Sequence, residues 1–336
     1  MTWLFIPILI SFLLVLLGLP LWIKTCRNIG LLWEDMNKIG HPKNVAASGG
    51  VVVVIAFIVG VLSYVAITSF VYGASGYSLQ IFAMVSMILV LALIGLVDDL
   101  LGWRHGGLSW KLRLVFALVA SIPLVVIKAG TSAMILPFLG AVDFGVFYAL
   151  VLIPLGVAGV TTVYNFLAGF NGLESGQGIL VLSFLSYVAY ATGSSWLALI
   201  GLCMVAALLV FFLYNKSPAK VFPGDIMTYA IGALIVGMAI LGNFERIAAV
   251  VFVPYLIEMV LKVRGKIKLK TGKFPHSFGI PDKDGNLKMP YKKIYGLTHF
   301  SIWFLHKFKK GVTEKDVVYF LFIIQIIFIF IGFLML

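Results

Sequence analysis

Long apolar runs recur along the whole chain, and nothing constrains its fold more. A helix needs about 20 apolar residues to cross a bilayer. Ten runs approach that length: 2–23, 48–71, 79–97, 112–129, 144–164, 178–193, 195–213, 226–243, 247–263 and 316–336. Only 11% of the residues are charged, against roughly 25% in a soluble protein. The expected fold is an all-α polytopic membrane protein of about ten transmembrane helices. A single integral-membrane domain over 1–336 is expected.

Charge sets the orientation. No Lys or Arg precedes the first run, and Lys24 and Arg27 follow it. That predicts an uncleaved first helix with its N-terminus outside. The inside segments are then 24–47, 98–113, 164–178, 214–225 and 262–315, which carry 23 of the 25 Lys and Arg residues. Only Lys128 and Arg246 fall outside, as the positive-inside rule requires. Both termini are expected outside, with one long cytoplasmic loop, 262–315, between the last two helices. The net charge of +12 therefore needs no nucleic-acid partner. Cys26 and Cys203 form no metal or disulfide pattern.

The same orientation collects the polar clusters on the cytoplasmic face. Segment 161–178, TTVYNFLAGFNGLESGQG, sets Asn165, Asn171, Glu174 and Gln177 among four glycines at the end of an uncharged run. Amides and a carboxylate are costly to bury at a membrane edge unless they bind something. Glycine permits close backbone approach to a ligand. Segment 98–113, DDLLGWRHGGLSWKLR, is expected to place Asp98 and Asp99 at a helix C-terminus. The dipole disfavours negative charge there, so a metal or a cation such as Arg104 or Lys111 should hold them. In 214–225, Phe222-Pro223-Gly224-Asp225 is either an ordinary N-cap or a rigid turn presenting a carboxylate and an aromatic face. Gly49 and Gly50 open the second run where a backbone or ligand can approach. Glu258 is an intramembrane acid with Lys262 one turn on. The run KVRGKIKLKTGK from 262 alternates basic and apolar residues, as an extended ribbon on the membrane surface would. Asp284-Gly285 reads as a hairpin turn.

Carboxylates and amides as oxygen donors suit Mg²⁺, with Mn²⁺ as the alternative. A basic rim, including Lys38 and His276, suits a polyanionic substrate, and the apolar helices suit a lipid. Metal, phosphates and lipid together point to phosphoryl transfer at the membrane surface. A transporter would instead set its ionisable groups near the midplane on broken helices.

GLVDDLLG, NFLAGFNGLESGQG, VFPGD and PHSFGIP…GNLKMPYKK resemble the polyprenyl-phosphate N-acetylhexosamine-1-phosphate transferases, the glycosyltransferase 4 family. Within it they look most like the archaeal and eukaryotic dolichyl-phosphate GlcNAc-1-phosphate transferases. The resemblance implies ten helices and the Mg²⁺-dependent reaction of UDP-GlcNAc with dolichyl phosphate to give GlcNAc-PP-dolichol and UMP. It implies Asn165 and Asp225 as metal ligands, Asn171 reading the uridine and Phe222 stacking on the uracil, with Lys38 and Glu174 also at the substrate. It matches Asp98 and Asp99 to an acidic pair near the lipid phosphate, Lys111 to a phosphate-contacting lysine and His276 to a late cytoplasmic histidine. The implied partners are a UDP-sugar donor, a polyprenyl or dolichyl phosphate, the bilayer and a second copy in a homodimer. The implied location is an archaeal plasma membrane, or the endoplasmic reticulum membrane of a eukaryote. UDP-GalNAc or undecaprenyl phosphate are the alternative substrates. Three departures stand out, one of them a slightly longer link between Asp99 and Lys111, which loosens the lysine match. The related enzymes carry Arg-His-Arg where this chain has Pro275-His276-Ser277, and Pro-Glu where it has Val45-Ala46.

Overall fold

The computed structural model describes residues 2–73, 76–105, 107–136, 140–270 and 272–336. The apolar runs form helices because nothing polar competes for their backbone groups in lipid. Helix α1 (Ile6–Ile29) leads into a hairpin of β1 (Leu32–Glu34) and β2 (Lys43–Ala46). Helices α2 (Gly50–Phe70), α3 (Ser78–His105), α4 (Trp110–Ala120) and α5 (Ile122–Val126) follow. A second hairpin, β3 (Ala133–Leu136) and β4 (Gly140–Asp143), precedes a π-helical turn (Tyr148–Leu152) and α6 (Ile153–Tyr164). The chain continues through α7 (Leu173–Ala191), α8 (Ser195–Asn215), α9 (Gly224–Gly242), α10 (Glu245–Val251) and α11 (Val253–Leu269). It closes with the hairpin β5 (Ile280–Pro281) and β6 (Leu287–Lys288), then α12 (Leu297–Leu305) and α13 (Glu314–Phe333).

Among the described residues six helices are long and apolar enough to cross a membrane: Trp3–Ile29, Gly50–Phe70, Ser78–Gly102, Ser195–Asn215, Gly224–Gly242 and Glu314–Phe333. The chain is therefore multi-pass. The other four expected runs also fold as helix, three of them interrupted and the fourth, α7, continuous but with a polar first turn. The run 112–129 divides at Ser121, ahead of Pro123. The run 247–263 divides at Phe252, ahead of Pro254. Proline lacks the N–H that would carry the helix through. The run 144–164 begins with the π turn, and α7 opens on the polar turn Leu173–Gly178.

Helix α9 is the centre of the fold. Its apolar window is 83% buried, against 22% in the first helix and 28% in α13. Helices α3 and α6 pack along it, while α7 pairs with α8 and α1 with α2. The closest backbone approach is at Gly95 of α3. A Cβ there would sit 2.5 Å from the Asp225 carbonyl carbon and oxygen. This contact brings the end of α3 against the start of α9.

Two sequence expectations are corrected. Helix α3 continues to His105, so Asp98 and Asp99 lie inside it rather than at its C-terminus, and the dipole argument for them does not apply. The run from 262 is not an extended ribbon: α11 carries it to Leu269, because Lys262 finds a partner one turn back in Glu258. The Asp284-Gly285 turn is present, with Gly285 at φ +79° between β5 and β6.

Candidate active site

The residues of the VFPGD motif are positioned by backbone pairing before any side chain acts. Phe222 N donates to Ala46 O at 2.8 Å, Gly49 N to Phe222 O at 2.9 Å and Gly50 N to Pro223 O at 2.9 Å. A Cβ at Gly50 would meet the Pro223 carbonyl at 2.7 Å. The two glycines expected to admit a close approach thus admit this turn. Asn215 fastens its other side, donating to Val221 O at 2.9 Å.

The start of α9 has no side-chain cap of its own, since Pro223 precedes it. Asp99 supplies one from α3. Its carboxylate accepts from Asp225 N at 2.7 Å and Ile226 N at 3.5 Å, and from the Ser48 hydroxyl. An acid at a helix N-terminus gains from both the free N–H groups and the dipole. Gly224 has φ +73°, and a Cβ on it would lie 2.2 Å from Asp99 Oδ2. Only glycine fits.

Asp98 accepts from Leu108 N and pairs with Arg113, whose Nη1 is 3.1 Å from Asp98 Oδ2 and 3.2 Å from Asp225 Oδ2. One guanidinium therefore bridges acids from α3 and α9. The sequence points to Lys111 as the cation beside these acids, but Arg113, the last residue of WKLR, takes that place. Lys111 is exposed and makes no ion pair among the described residues. The Arg104 side chain lies outside the described residues.

Asp99, Asn165, Glu174, Phe222 and Asp225 line one cavity of about 540 Å3. Thr228 orients Asn165, its hydroxyl lying 3.2 Å from Asn165 Oδ1. Glu174 uses Oε1 to accept Gly169 N at 2.8 Å, while its buried Oε2 has no partner among the described residues. The β1–β2 hairpin roofs the cavity with Trp33, Glu34, Asp35 and Lys43. Asn171 is buried and outside the lining. Its amide donates to Asp35 Oδ2 at 2.8 Å, so it acts on the cavity through Asp35. Burial raises the Asp35 pKa, opposed by the Asn171 hydrogen bond.

Two expected residues stand further out. Lys38 pairs with Glu314 and donates to Ser217 Oγ at 3.1 Å, so its charge is engaged in tying the first loop to α13. His276 is exposed and stacks on Phe278, with ring centres 5.9 Å apart. Phe278 lines the cavity and His276 does not. Partial desolvation, and then the nearby Lys262 ammonium, hold the His276 imidazole below its usual pKa.

The donors suit a hard divalent cation. They are carboxylate and amide oxygens, with no cysteine or histidine in the lining. Among the described residues no three His, Cys, Asp or Glu side chains form a metal cage. Mg²⁺ does not need one, because it commonly takes one or two carboxylates and fills its shell with water and phosphate.

Residues 81–243 match the glycosyl transferase family 4 model. A protein of Saccharolobus solfataricus is 34% identical over 297 residues, covering 88% of this chain and 86% of the relative. The chain belongs to glycosyl transferase family 4. The Saccharolobus relative bears the provisional name UDP-N-acetylglucosamine–dolichyl-phosphate N-acetylglucosaminephosphotransferase. A Dictyostelium discoideum protein with that name is 29% identical, over 68% of this chain and 64% of its own length. A phospho-N-acetylmuramoyl-pentapeptide-transferase of Streptococcus pneumoniae is 28% identical, over 74% of this chain and 77% of its own. In this family 4 chain the matched stretch contains Asp98, Asp99, Asn165, Asn171, Glu174, Phe222 and Asp225. The β1–β2 roof and the 274–299 segment fall outside it.

Proposed function

We propose that this family 4 chain transfers GlcNAc-1-phosphate from UDP-GlcNAc to dolichyl or another polyprenyl phosphate. The products are the lipid-linked GlcNAc diphosphate and UMP, the opening step of lipid-linked oligosaccharide assembly. The observation that carries this reading is the meeting of Asp99, Asn165 and Asp225 on one cavity, although they are spread over more than a hundred residues of apolar helix. The two relatives that carry the transferase name support the donor and the acceptor.

The reaction is an in-line displacement. An oxygen of the lipid phosphate forms a bond to the phosphorus that bears the sugar, and the bond from that phosphorus to the bridging oxygen breaks. UMP leaves with the electron pair. A phosphate monoester has its second pKa near ~6, so the nucleophile is already largely dianionic at neutral pH and needs no strong base. The protein's task is positioning and charge balance. Phe222 offers a face for the uracil. Asp35, held by Asn171, presents an acceptor to the donor substrate. Arg113 keeps Asp98 and Asp225 from repelling one another. Asn165 and Asp225, with Glu174 close by, are the residues that would hold Mg²⁺. When bound, Mg²⁺ neutralises and aligns the diphosphate.

The topology belongs to the same proposal: ten crossings, both termini outside, the cavity on the cytoplasmic side of a cell membrane. The charge distribution supports it. The test is incubation of purified protein with radiolabelled UDP-GlcNAc, dolichyl phosphate and Mg²⁺, and UDP-GalNAc in parallel. A lipid-extractable, acid-labile product from UDP-GlcNAc is expected. Product from UDP-GalNAc alone would change the sugar, and product from neither would overturn the reading.

A further inference from the structure

Among the described residues four Lys and Arg side chains are not exposed: Lys38, Arg113, Lys262 and Lys266. Three of them meet a carboxylate. Lys38 pairs with Glu314, Arg113 with Asp98 and Asp225, and Lys262 with Glu258. Lys266 meets none. Its ammonium lies 4.7 Å from the Trp110 ring centre and 4.6 Å from that of Phe274. Among the described residues it makes no other contact with a charged or hydrogen-bonding group. Two ring faces attract a cation, but they supply no oxygen acceptor, so the N–H donors of this partly exposed ammonium are left for water or a ligand.

The two rings set Lys266 beside the segments that carry the site, outside the cavity lining itself. Trp110 begins α4, and Arg113 follows one turn later on the same face. The Arg113 guanidinium joins Asp98 to Asp225. On the other side Phe274 packs on Phe166 with ring centres 5.1 Å apart, and Phe166 follows Asn165, which lines the cavity. The ammonium is thus held between the segment that carries Arg113 and the segment that carries Asn165. Helix α11 makes the selection by its period. Arg264 and Lys268, half a turn to either side, are exposed, and Lys262, one turn back, is occupied by Glu258.

We propose that Lys266 is a phosphate-binding residue of this site. Its ammonium, positioned by Trp110 and Phe274 and lacking a carboxylate of its own, takes a phosphoryl oxygen of a substrate. That oxygen belongs either to the lipid phosphate or to the diphosphate of the nucleotide sugar. The inference rests on the phosphoryl-transfer reading above and adds a residue to it. Lysine suits the task as a compact point charge with rotatable donors.

The test compares the full-length wild type with K266M and K266R in detergent, using UDP-GlcNAc, dolichyl phosphate and Mg²⁺. Methionine keeps an unbranched stem between the rings and removes the charge. A charge-assisted hydrogen bond of ordinary strength predicts that K266M raises the KM for one substrate roughly 10- to 100-fold. The other KM and the unfolding temperature stay near wild type, and K266R recovers most of the loss. A rise confined to dolichyl phosphate assigns the lipid phosphate; one confined to UDP-GlcNAc assigns the diphosphate. Equilibrium binding of UDP and of dolichyl phosphate is measured on the same samples. If the wild type transfers no sugar, the functional reading fails, while weakened binding of either ligand to K266M still upholds Lys266. Both KM values and both affinities within twofold of wild type would overturn the proposal. So would a loss that K266R does not relieve and that follows the unfolding temperature.

Discussion

Asp99 Oδ1 accepts the backbone N–H of Asp225 at 2.7 Å, across 126 residues of sequence. An acid of α3 thereby closes the first turn of α9, and the Asp225 carboxylate is left free to meet Arg113 and the cavity. The adjacent acids Asp98 and Asp99 consequently do different work: one caps a helix, the other shares a guanidinium. Asp99→Ala leaves two N–H groups without that cap, a loss of about 1 kcal/mol. Thermal unfolding in detergent should show a fall of about 2 °C together with reduced transfer. An unchanged unfolding temperature would mean that the cap contributes nothing.

Gly224 is the tightest position in the same contact. With φ +73° and a Cβ position 2.2 Å from Asp99 Oδ2, Gly224→Ala has to displace either the turn or the acid. The backbone conformation alone costs about 1–3 kcal/mol. Transfer activity should fall by more than tenfold, with a lower unfolding temperature. Wild-type activity in this variant would show that the Asp99–Asp225 contact is not needed.

Arg113 balances two carboxylates at 3.1 and 3.2 Å. Arg113→Met leaves Asp98 and Asp225 facing each other without a cation. A preorganised charge of this kind is worth roughly 100- to 1,000-fold in kcat. Arg113→Lys keeps the charge but not the fork that spans both acids, so it should recover only part of the loss. Equal kcat values for wild type and Arg113→Met, measured as UMP release, would remove Arg113 from the account.

Phe222 lines the cavity on a turn held by backbone pairing, so trimming the ring leaves the turn in place. Base stacking on an aromatic ring is worth ~1–3 kcal/mol. Phe222→Ala should raise the KM for UDP-GlcNAc about tenfold or more and leave the KM for dolichyl phosphate alone. A change in the lipid KM instead would place the ring at the acceptor.

His299 of α12 is fully buried, and its pKa falls from 6.5 to about 4, chiefly through burial and then through the Lys262 ammonium. A folded-state value below the unfolded one means that folding favours the neutral ring. The contribution is complete above about pH 6.5 and is lost as pH falls toward about 4. It amounts to roughly 3 kcal/mol at one pKa unit per 1.36 kcal/mol. Unfolding measured from pH 7 to pH 4 should show wild type losing stability more steeply than His299→Gln. Parallel curves would contradict this.

The membrane-spanning character and five residues of the cavity lining were legible in the sequence; the β1–β2 roof was not. Asp99, Asn165, Glu174, Phe222 and Asp225 announced themselves as polar or aromatic residues in short segments between apolar runs. What stayed hidden was which charge meets which. Lys111 and Arg113 are two residues apart, and only the phase of α4 decides that Arg113 reaches the acids. The sequence suggests Asn171 as a direct contact, but its amide donates to Asp35. Lys38 was read as a rim cation, but Glu314 lies nearly three hundred residues away in sequence. A doublet of acids ordinarily stops an apolar helix, yet α3 continues past Asp98 and Asp99 to His105. Here both carboxylates have partners, and the helix runs on.

Asp225 lines the cavity in which the proposed reaction would bring a divalent cation and a sugar diphosphate together. A Mg²⁺ titration of UMP release, run on the wild type and on Asp225→Ala, tests this most directly. Saturable Mg²⁺ dependence is expected in the wild type, and at least a 100-fold lower rate in the variant at every concentration, with an unfolding temperature no more than slightly changed. An Asp225→Ala protein that released UMP with the wild-type rate and Mg²⁺ dependence would contradict it.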